Sequence, residues 1–331
     1  MAEAVGELSG RGRFRRRPGE RRRELLIYWA YRFGEWAVGR LPRRLLMLGG
    51  SAAGNLAYDV AAGKRLLLHE NLGHALGLPP SDRRVHAAAR RAFRNYGKYL
   101  VDVLRMASIS AEEIDRLVTI ENHECLADAR RDGNGVLICA VHVAAMDMVG
   151  PALLTKGEAM HVVADDTTYG RLYDHMKAVR GRQGLLLIGW RNLRGLYRVL
   201  REGGGLVLFC DVGYRRGDVP VEFLGEATTF PLGPANLSVR TNSPMLPVYC
   251  RRTPSDEFVA RGLPLIRATS SDPGELYRAS QELADALGAV IAEDPGQWYM
   301  FRPIWPQTDA DRAQARAALA AARRGEDWTR L

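Results

Sequence analysis

From Gly135 onward the chain alternates short apolar runs with segments of helical period. Residues 136–141, Val-Leu-Ile-Cys-Ala-Val, are the clearest run. An unbroken apolar stretch of that length reads as a strand buried on both faces, the usual core of a parallel sheet. Similar runs lie at 160–164, 185–188, 205–210 and 244–249, with another near 257–261. Helical spacing falls between and after them, at 169–180, 193–202, 234–240 and 273–292, and a helix over 143–154 is expected to follow the first strand. Strands that alternate with helices predict an α/β sandwich with a mostly parallel central sheet.

The first part of the chain has a different texture. Residues 24–63 mix Leu25, Tyr28, Trp29, Phe33, Trp36, Leu41, Leu45 and Met47 with Arg32, Arg40, Arg43 and Arg44. Pro42 marks the start of a second helix, because proline fits a first-turn position. An aromatic face edged by arginine suits a helix lying in a membrane interface. It equally suits a helix packed on a core, and both readings hold if they concern different faces. Pro79-Pro-Ser-Asp82 supplies a turn and cap ahead of a helix at 83–104, and 116–121 reads as a short strand. The organisation expected is a basic arm over 1–23, a helical membrane-associated region over 24–131, a catalytic-type domain over 132–306, and a C-terminal helix or tail over 307–331.

With 331 residues and 47% hydrophobic content, the chain is long enough to bury a large core. Its net charge of +9 is partly local, since residues 1–24 hold eight arginines against four glutamates. Such a run reads as an arm that touches anionic lipid or stays solvated. No zinc-ligand spacing or RNA-binding aromatic motif accompanies it, so no nucleic-acid partner is expected. Cys139 and Cys210 sit inside apolar runs, where reduced buried thiols are the expectation. No uncharged apolar stretch reaches the length of a membrane span, and no signal peptide is read. Gly203-Gly-Gly205 stops a helix and lacks dinucleotide-site spacing.

The chemistry concentrates at His142 and Asp147, directly after the first strand. Open α/β sheets place ligands at the carboxyl ends of their strands. A histidine there, with a carboxylate one turn into the following helix, reads either as a general base with its orienting partner or as a structural group bonded to backbone. Cys139 lies within the strand and reads as core. No third ligand at regular spacing supports a metal, although Asp165 and Asp166 are a conceivable complement. Arg215 and Arg216, after Gly213, read as a mobile cationic loop suited to phosphate, or as solvated loop charge. In Val-Pro-Val-Glu-Phe-Leu, residues 219–224, Glu222 alternates with core-type neighbours and so points toward a cleft if they face the core. Met146, Met148, Val149 and Leu153 either wall an apolar tunnel or simply seat their helix on the sheet.

His142-x-x-x-x-Asp147 resembles the signature of the glycerolipid acyltransferase superfamily. More of the chain, over roughly residues 25–306, is similar to one branch: bacterial lipid A late acyltransferases and phosphatidylinositol mannoside acyltransferases. The pieces are Asn71-Leu72, Leu78-Pro79, Arg91-Ala-Phe-Arg-Asn-Tyr-Gly97, Cys210-Asp-Val-Gly213, Val221-Glu-Phe-Leu-Gly225, Thr228-Thr-Phe-Pro-Leu-Gly-Pro234, Pro244-Met-Leu-Pro-Val248 and Pro295-Gly-Gln-Trp-Tyr-Met-Phe-Arg302. Asp147 stands where lipid A enzymes usually carry Glu, which leans toward the mannoside branch.

The resemblance implies a glycerol-3-phosphate acyltransferase-like fold behind an N-terminal helical membrane-docking region. It implies a lipid or glycolipid acceptor, acyl-CoA or acyl-carrier protein as co-substrate, and no other cofactor. It implies a place at the cytoplasmic face of a bacterial inner membrane, peripheral or monotopic. It implies a supporting carboxylate, Glu222 with Asp211 as competitor, and substrate binding by Arg180, Arg182, Asp211, Arg215, Arg216 and Gly225. Arginine at a helix C-terminus is explained as well by the helix dipole. A lipid-ester hydrolase built on the same His and Asp, and a non-catalytic membrane-surface protein, are the rival readings.

Overall fold

The structure, a computed structural model, describes residues 18–164 and 170–331, with residues 18–21 as helix backbone only. Most of the basic arm, and Asp165 and Asp166, lie outside the described residues. Helices α1 (Pro18–Val38), α2 (Arg43–Val60), α3 (Ala62–Leu76), α4 (Arg83–Arg105) and α5 (Ala111–Leu117) come first. They lead to β1 (Val118–Glu121), α6 (Cys125–Ala129), β2 (Val136–Ala140), α7 (Val149–Leu154), β3 (Met160–Ala164), α8 (Gly170–Arg182), β4 (Leu185–Gly189), α9 (Leu193–Arg201) and β5 (Gly205–Phe209). A hairpin of β6 (Val219–Phe223) and β7 (Glu226–Phe230) precedes α10 (Leu232–Thr241), β8 (Met245–Arg252), β9 (Phe258–Gly262), α11 (Pro273–Glu293) and α12 (Asp309–Arg323).

Seven strands form one sheet in the order β1-β9-β8-β2-β5-β3-β4, and every neighbouring pair except β8–β9 is parallel. The apolar run at 136–141 becomes the central strand β2, buried along its whole length between β5 and β8. Successive residues of a strand point to opposite faces. Leu137, Cys139 and Val141 therefore pack with α9, α10 and α11, whereas Val136 and Ile138 pack with α5, α6, α7 and α8.

Three expectations change. The helix over 143–154 forms only from Met146, as a short 3-10 turn (Met146–Met148) running into α7. Helix α1 already begins at Pro18, so residues 18–23 belong to it and not to an arm. Strand β1 comes from the expected helical region yet edges the main sheet, and Tyr58, Leu72, Val85 and Phe93 share a core with β2. The boundary near 131 thus does not separate two cores. As expected, Asp82 caps α4 by accepting the Arg84 N–H at 2.8 Å, and Cys139 and Cys210 are buried free thiols.

Helix α4 is the pillar behind the site. It crosses α2 at glycines: a Cβ on Gly54 would lie 2.2 Å from the Phe93 carbonyl oxygen, and one on Gly97 2.0 Å from that of Gly50. Farther along, Asp102 forms a buried ion pair with Arg252, and Lys98 meets Asp256 at 2.8 Å. These contacts fix α4 against β8 and leave its tyrosines facing the carboxyl ends of the strands.

Candidate active site

His142 and Asp211 each follow the last residue of a strand by two positions, and those strands, β2 and β5, are paired neighbours with Ala140 opposite Phe209. The sheet therefore brings them together. Asp211 Oδ1 lies 2.7 Å from His142 Nδ1, while Asp211 Oδ2 accepts the His142 backbone N–H and the Trp298 indole N–H, both at 2.9 Å. A carboxylate is only an acceptor, so the proton of the neutral ring sits on Nδ1 and Nε2 keeps its lone pair. The ring stacks on Phe209 at 4.3 Å between centroids, and its side chain is 46% exposed while that of Asp211 is fully buried. Burial opposes the charged ring, but the charge and hydrogen bond of Asp211 outweigh it and raise the His142 pKa; Arg302 works in the opposite sense.

The segment from Pro295 to Arg302 clamps this pair. Trp298 is fully buried and bridges Val143 in antiparallel fashion, and the Tyr299 N–H donates to the His142 carbonyl at 3.0 Å. Asn71, buried on α3, donates to the carbonyls of Met300 and Arg302 at 2.7 and 2.8 Å, and Asn95 of α4 donates to Gly296 at 2.8 Å. Asn71 and the 295–302 block were visible in the sequence only as resemblance. Their physical task is to hold the loop that orients the histidine and sets Arg302 beside it.

Asp147 is not the partner of His142, a correction to the expected pair. Val143 bridges Trp298, and Ala144 adopts φ 49° with its N–H on the Gln297 carbonyl, so no helix turn runs straight from His142. Asp147 instead faces α8 and α4, where Arg180 Nε donates to Oδ1 at 3.0 Å and the Tyr99 hydroxyl donates to Oδ2 at 2.8 Å. Burial works to raise the Asp147 pKa, but Arg180 and Tyr99 bring it below the usual carboxylate value. Burial and the Asp147 charge push the Tyr99 hydroxyl well up, and burial pushes Tyr31, close to the same groups, up to about 12. Removing one partner of a buried ion pair costs about 3–5 kcal/mol. Asp147→Leu is accordingly expected to lower stability by about that amount in urea denaturation, because Arg180 is left buried and unpaired. A variant as stable as wild type would show that the pair is not closed in solution.

Several other expected site residues lie elsewhere. Glu222 is on the hairpin face turned to α11 and α12; it pairs with Arg323 at 2.6 Å, and its side chain is 45% exposed. The reason is that Val221 and Phe223 do face the core, but the opposite side of this hairpin meets solvent, not the cleft. Arg216 is tied to Asp311 of α12 at 2.7 Å, and the backbone of Arg215 is bonded to Thr229, so the loop is not a free cationic arm. Gly225 follows Leu224 in the hairpin turn, with φ values of 84° and 50°, a conformation for which glycine is selected. Arg180 is consumed by Asp147, and Arg182 is exposed at the end of α8, apart from that pair.

An apolar cavity runs beneath the sheet and reaches Phe209, the ring on which His142 stacks. About 80 Å³ of it admits the centre of a water-sized sphere, within about 750 Å³ of empty space that includes open solvent. Met146, Val149 and Leu153 line it together with Ile138, Val207 and Leu246, and Asp147 and Phe209 stand where it approaches His142. Met148 does not line it; that side chain is buried in the core beneath α7. Among the described residues no group of three or more His, Cys, Asp or Glu is placed to hold a metal ion.

His142, oriented by the buried Asp211, has the geometry of a general base, and its ring stacks on Phe209, which lines the apolar cavity. The chain belongs to the family of bacterial lipid A biosynthesis acyltransferases, whose model matches residues 17–307, and it is an acyltransferase. The phosphatidylinositol mannoside acyltransferase of Mycobacterium tuberculosis is 29% identical over 309 residues, spanning 87% of this chain and 92% of that one. The protein of the same name from Mycolicibacterium smegmatis is 26% identical over 287 residues, spanning 85% and 92%. Among solved structures, the 1-acyl-sn-glycerophosphate acyltransferase of Thermotoga maritima aligns with a TM-score of 0.36 and 14% identity, over 78% of this chain and 99% of that one.

Proposed function

We propose that this protein moves a fatty acyl chain from a thioester to a hydroxyl of a lipid or glycolipid acceptor at a membrane surface. The names of its mannosylated-lipid relatives favour a phosphatidylinositol mannoside-like acceptor. The observation that carries the reading is His142, held by Asp211 and stacked on Phe209, which lines a cavity walled by aliphatic side chains. Nε2 takes the acceptor hydroxyl proton as the oxygen attacks the thioester carbonyl. The C–S bond then breaks, and the proton passes from His142 to the departing thiolate. Asp211 keeps the ring in the reactive tautomer and stabilises the imidazolium, the role of the carboxylate in a triad that here needs no serine. A thioester is already activated, so no acyl-enzyme is required.

The acyl chain lies in the apolar cavity. Each buried CH₂ contributes about 0.8 kcal/mol, so the cavity's depth sets the preferred chain length. Val149→Trp is expected to shift the profile toward shorter acyl donors, whereas Met148→Leu, off the cavity wall, leaves it unchanged. Donors of graded length measured in parallel test this; an unchanged profile for the tryptophan variant places the chain elsewhere.

Helix α1 offers the membrane contact. Tyr31, Glu35 and Val38 turn inward, while Leu26, Trp29, Phe33 and Trp36 form an exposed stripe continued by Leu41, Leu45 and Leu48 of the next segment. Among the described residues no helix is long and apolar enough to cross a membrane, so this face rests in the interface. Trp29→Glu with Phe33→Glu should weaken sedimentation with anionic vesicles at least tenfold, since burying one such side chain is worth about 1.5–3 kcal/mol. Removing residues 1–17 should subtract only a salt-sensitive part. Vesicle binding untouched by the double variant would move the contact to another face.

A further inference from the structure

Two cations stand at the site with no acid to match them. The chain from Tyr299 to Pro303 crosses the ends of β2 and β5. At one end of that crossing the Tyr299 N–H donates to the His142 carbonyl at 3.0 Å. At the other, the Pro303 carbonyl packs on Gly213, two residues past Asp211, where an added Cβ would lie 2.5 Å away. Arg302, between these contacts, is exposed, and Asn71 pins its backbone carbonyl at 2.8 Å. Lys64, exposed in the first turn of α3, donates to the adjoining Phe301 carbonyl at 3.1 Å and so stands beside it. Among the described residues neither cation has an ion-pair partner. Other arginines around the site are already paired: Arg180 with Asp147, Arg252 with Asp102 and Arg216 with Asp311.

Without a substrate, Arg302 opposes the reaction. A like charge near His142 disfavours the imidazolium that proton transfer forms, and Arg302 acts on the ring in that sense. The opposition ends when an anion arrives with the substrate and neutralises the guanidinium. An apolar track leads to the same place. Leu45, Leu48, Ala52, Leu56 and Val60 form the exposed face of α2, which starts at the membrane-contact stripe and ends four residues before Lys64.

We infer that Lys64 and Arg302 bind the phosphodiester of a membrane-held acceptor, so that the protein selects anionic phospholipid head groups. This rests on the acyl-transfer reading and names the chemistry its acceptor carries. Guanidinium and ammonium groups both suit phosphate oxygens, the first as a fork and the second as a point charge. The lipid's tails stay with the bilayer at the α2 face, its phosphate meets the two cations, and its hydroxyl reaches His142. A coenzyme A donor also carries phosphate, but the nearest one is a full pantetheine arm away from the reacting carbonyl. In a phospholipid acceptor the phosphodiester is joined directly to the head group that bears the hydroxyl. The acceptor is therefore the source that fits cations placed between the loops of His142 and Asp211.

The test compares two acceptors in phosphatidylcholine vesicles: a phosphatidylinositol mannoside, and a mannosyl diacylglycerol that offers mannose hydroxyls without phosphate. The full chain is set against the double variant Lys64→Gln, Arg302→Gln and the charge-keeping double variant Lys64→Arg, Arg302→Lys. Donors are palmitoyl-CoA and the phosphate-free palmitoyl thioester of N-acetylcysteamine. Wild type should favour the phospholipid, and the ratio of kcat/KM between the two acceptors should fall at least about tenfold in the glutamine variant, through KM and with either donor. The charge-keeping variant should retain most of that ratio. Binding of soluble dihexanoyl phosphatidylinositol, measured separately by calorimetry, should weaken at least about tenfold in the glutamine variant. An unchanged ratio with equal losses on both acceptors would make the cations act on the base or the transition state, and a loss confined to palmitoyl-CoA would assign them to the donor. Either result overturns the inference, as does dihexanoyl phosphatidylinositol binding that wild type lacks or the glutamine variant keeps. Transfer to neither acceptor by wild type would instead refute the acyl-transfer reading, while the calorimetry still decides the phosphate site.

Discussion

Replacing His142 with alanine is expected to reduce kcat/KM for acyl transfer by about 10²–10⁴-fold, the usual contribution of a positioned acid–base group, or about 3–5 kcal/mol. The fold should survive, because the side chain is half-exposed at a strand end and its backbone bonds to Asp211 and Tyr299 do not depend on the ring. Circular dichroism and the thermal midpoint check the second half. A loss of less than tenfold would reduce the histidine to a structural group. In wild type the ring must be neutral to act, so kcat/KM should rise with pH through a His142 pKa that Asp211 holds above its ordinary value. Stability responds in the opposite sense. The folded pKa exceeds the unfolded one, so the ion pair stabilises the fold below the unfolded value and that contribution fades as pH climbs through the folded value.

Asp211→Asn is the second large effect, expected at about 10²–10⁴-fold in kcat, because an amide can favour the wrong imidazole tautomer and cannot stabilise imidazolium. The readout that separates positioning from mere structure is the pH profile. Without the carboxylate the His142 pKa falls, so the acidic limb of kcat/KM should move to lower pH even as the maximum collapses. Asp147→Asn should leave that limb nearly in place, since Asp147 touches Arg180 and Tyr99 and not the ring. If instead Asp147→Asn moved the limb and Asp211→Asn did not, the pair first suggested by the sequence would be the working one.

The strands were legible because apolar-rich runs of four to six residues bounded by polar turns leave little choice, and β2, β3, β4 and β5 lie within two residues of their expected limits. The histidine was legible for the same reason: a polar residue straight after such a run stands at the sheet's ligand edge. Its partner was not. Sequence proximity favoured Asp147, five positions on, over Asp211, 69 positions away. The missing information was strand order. Once β2 and β5 are neighbours, polar residues two positions past the end of each must meet, a signal available to anyone who guesses that pairing. Glu222 failed for a related reason. Alternation told correctly which side of its strand was apolar, but not that the hairpin stands outside the main sheet, with its polar side toward α12. Tyr99 and Trp298 could not be singled out among many aromatics, because only packing shows which of them meets a carboxylate.

The central claim is ester formation on a lipid hydroxyl by the His142–Asp211 pair. The most direct measurement incubates the purified protein with radiolabelled palmitoyl thioester and a lipid extract containing phosphatidylinositol mannosides, then identifies labelled products by mass spectrometry. The account predicts an ester-linked palmitoyl glycolipid from wild type and none from the His142→Ala protein. Labelled free palmitate as the sole product, at a rate indifferent to added acceptor, would contradict it and make the protein a hydrolase.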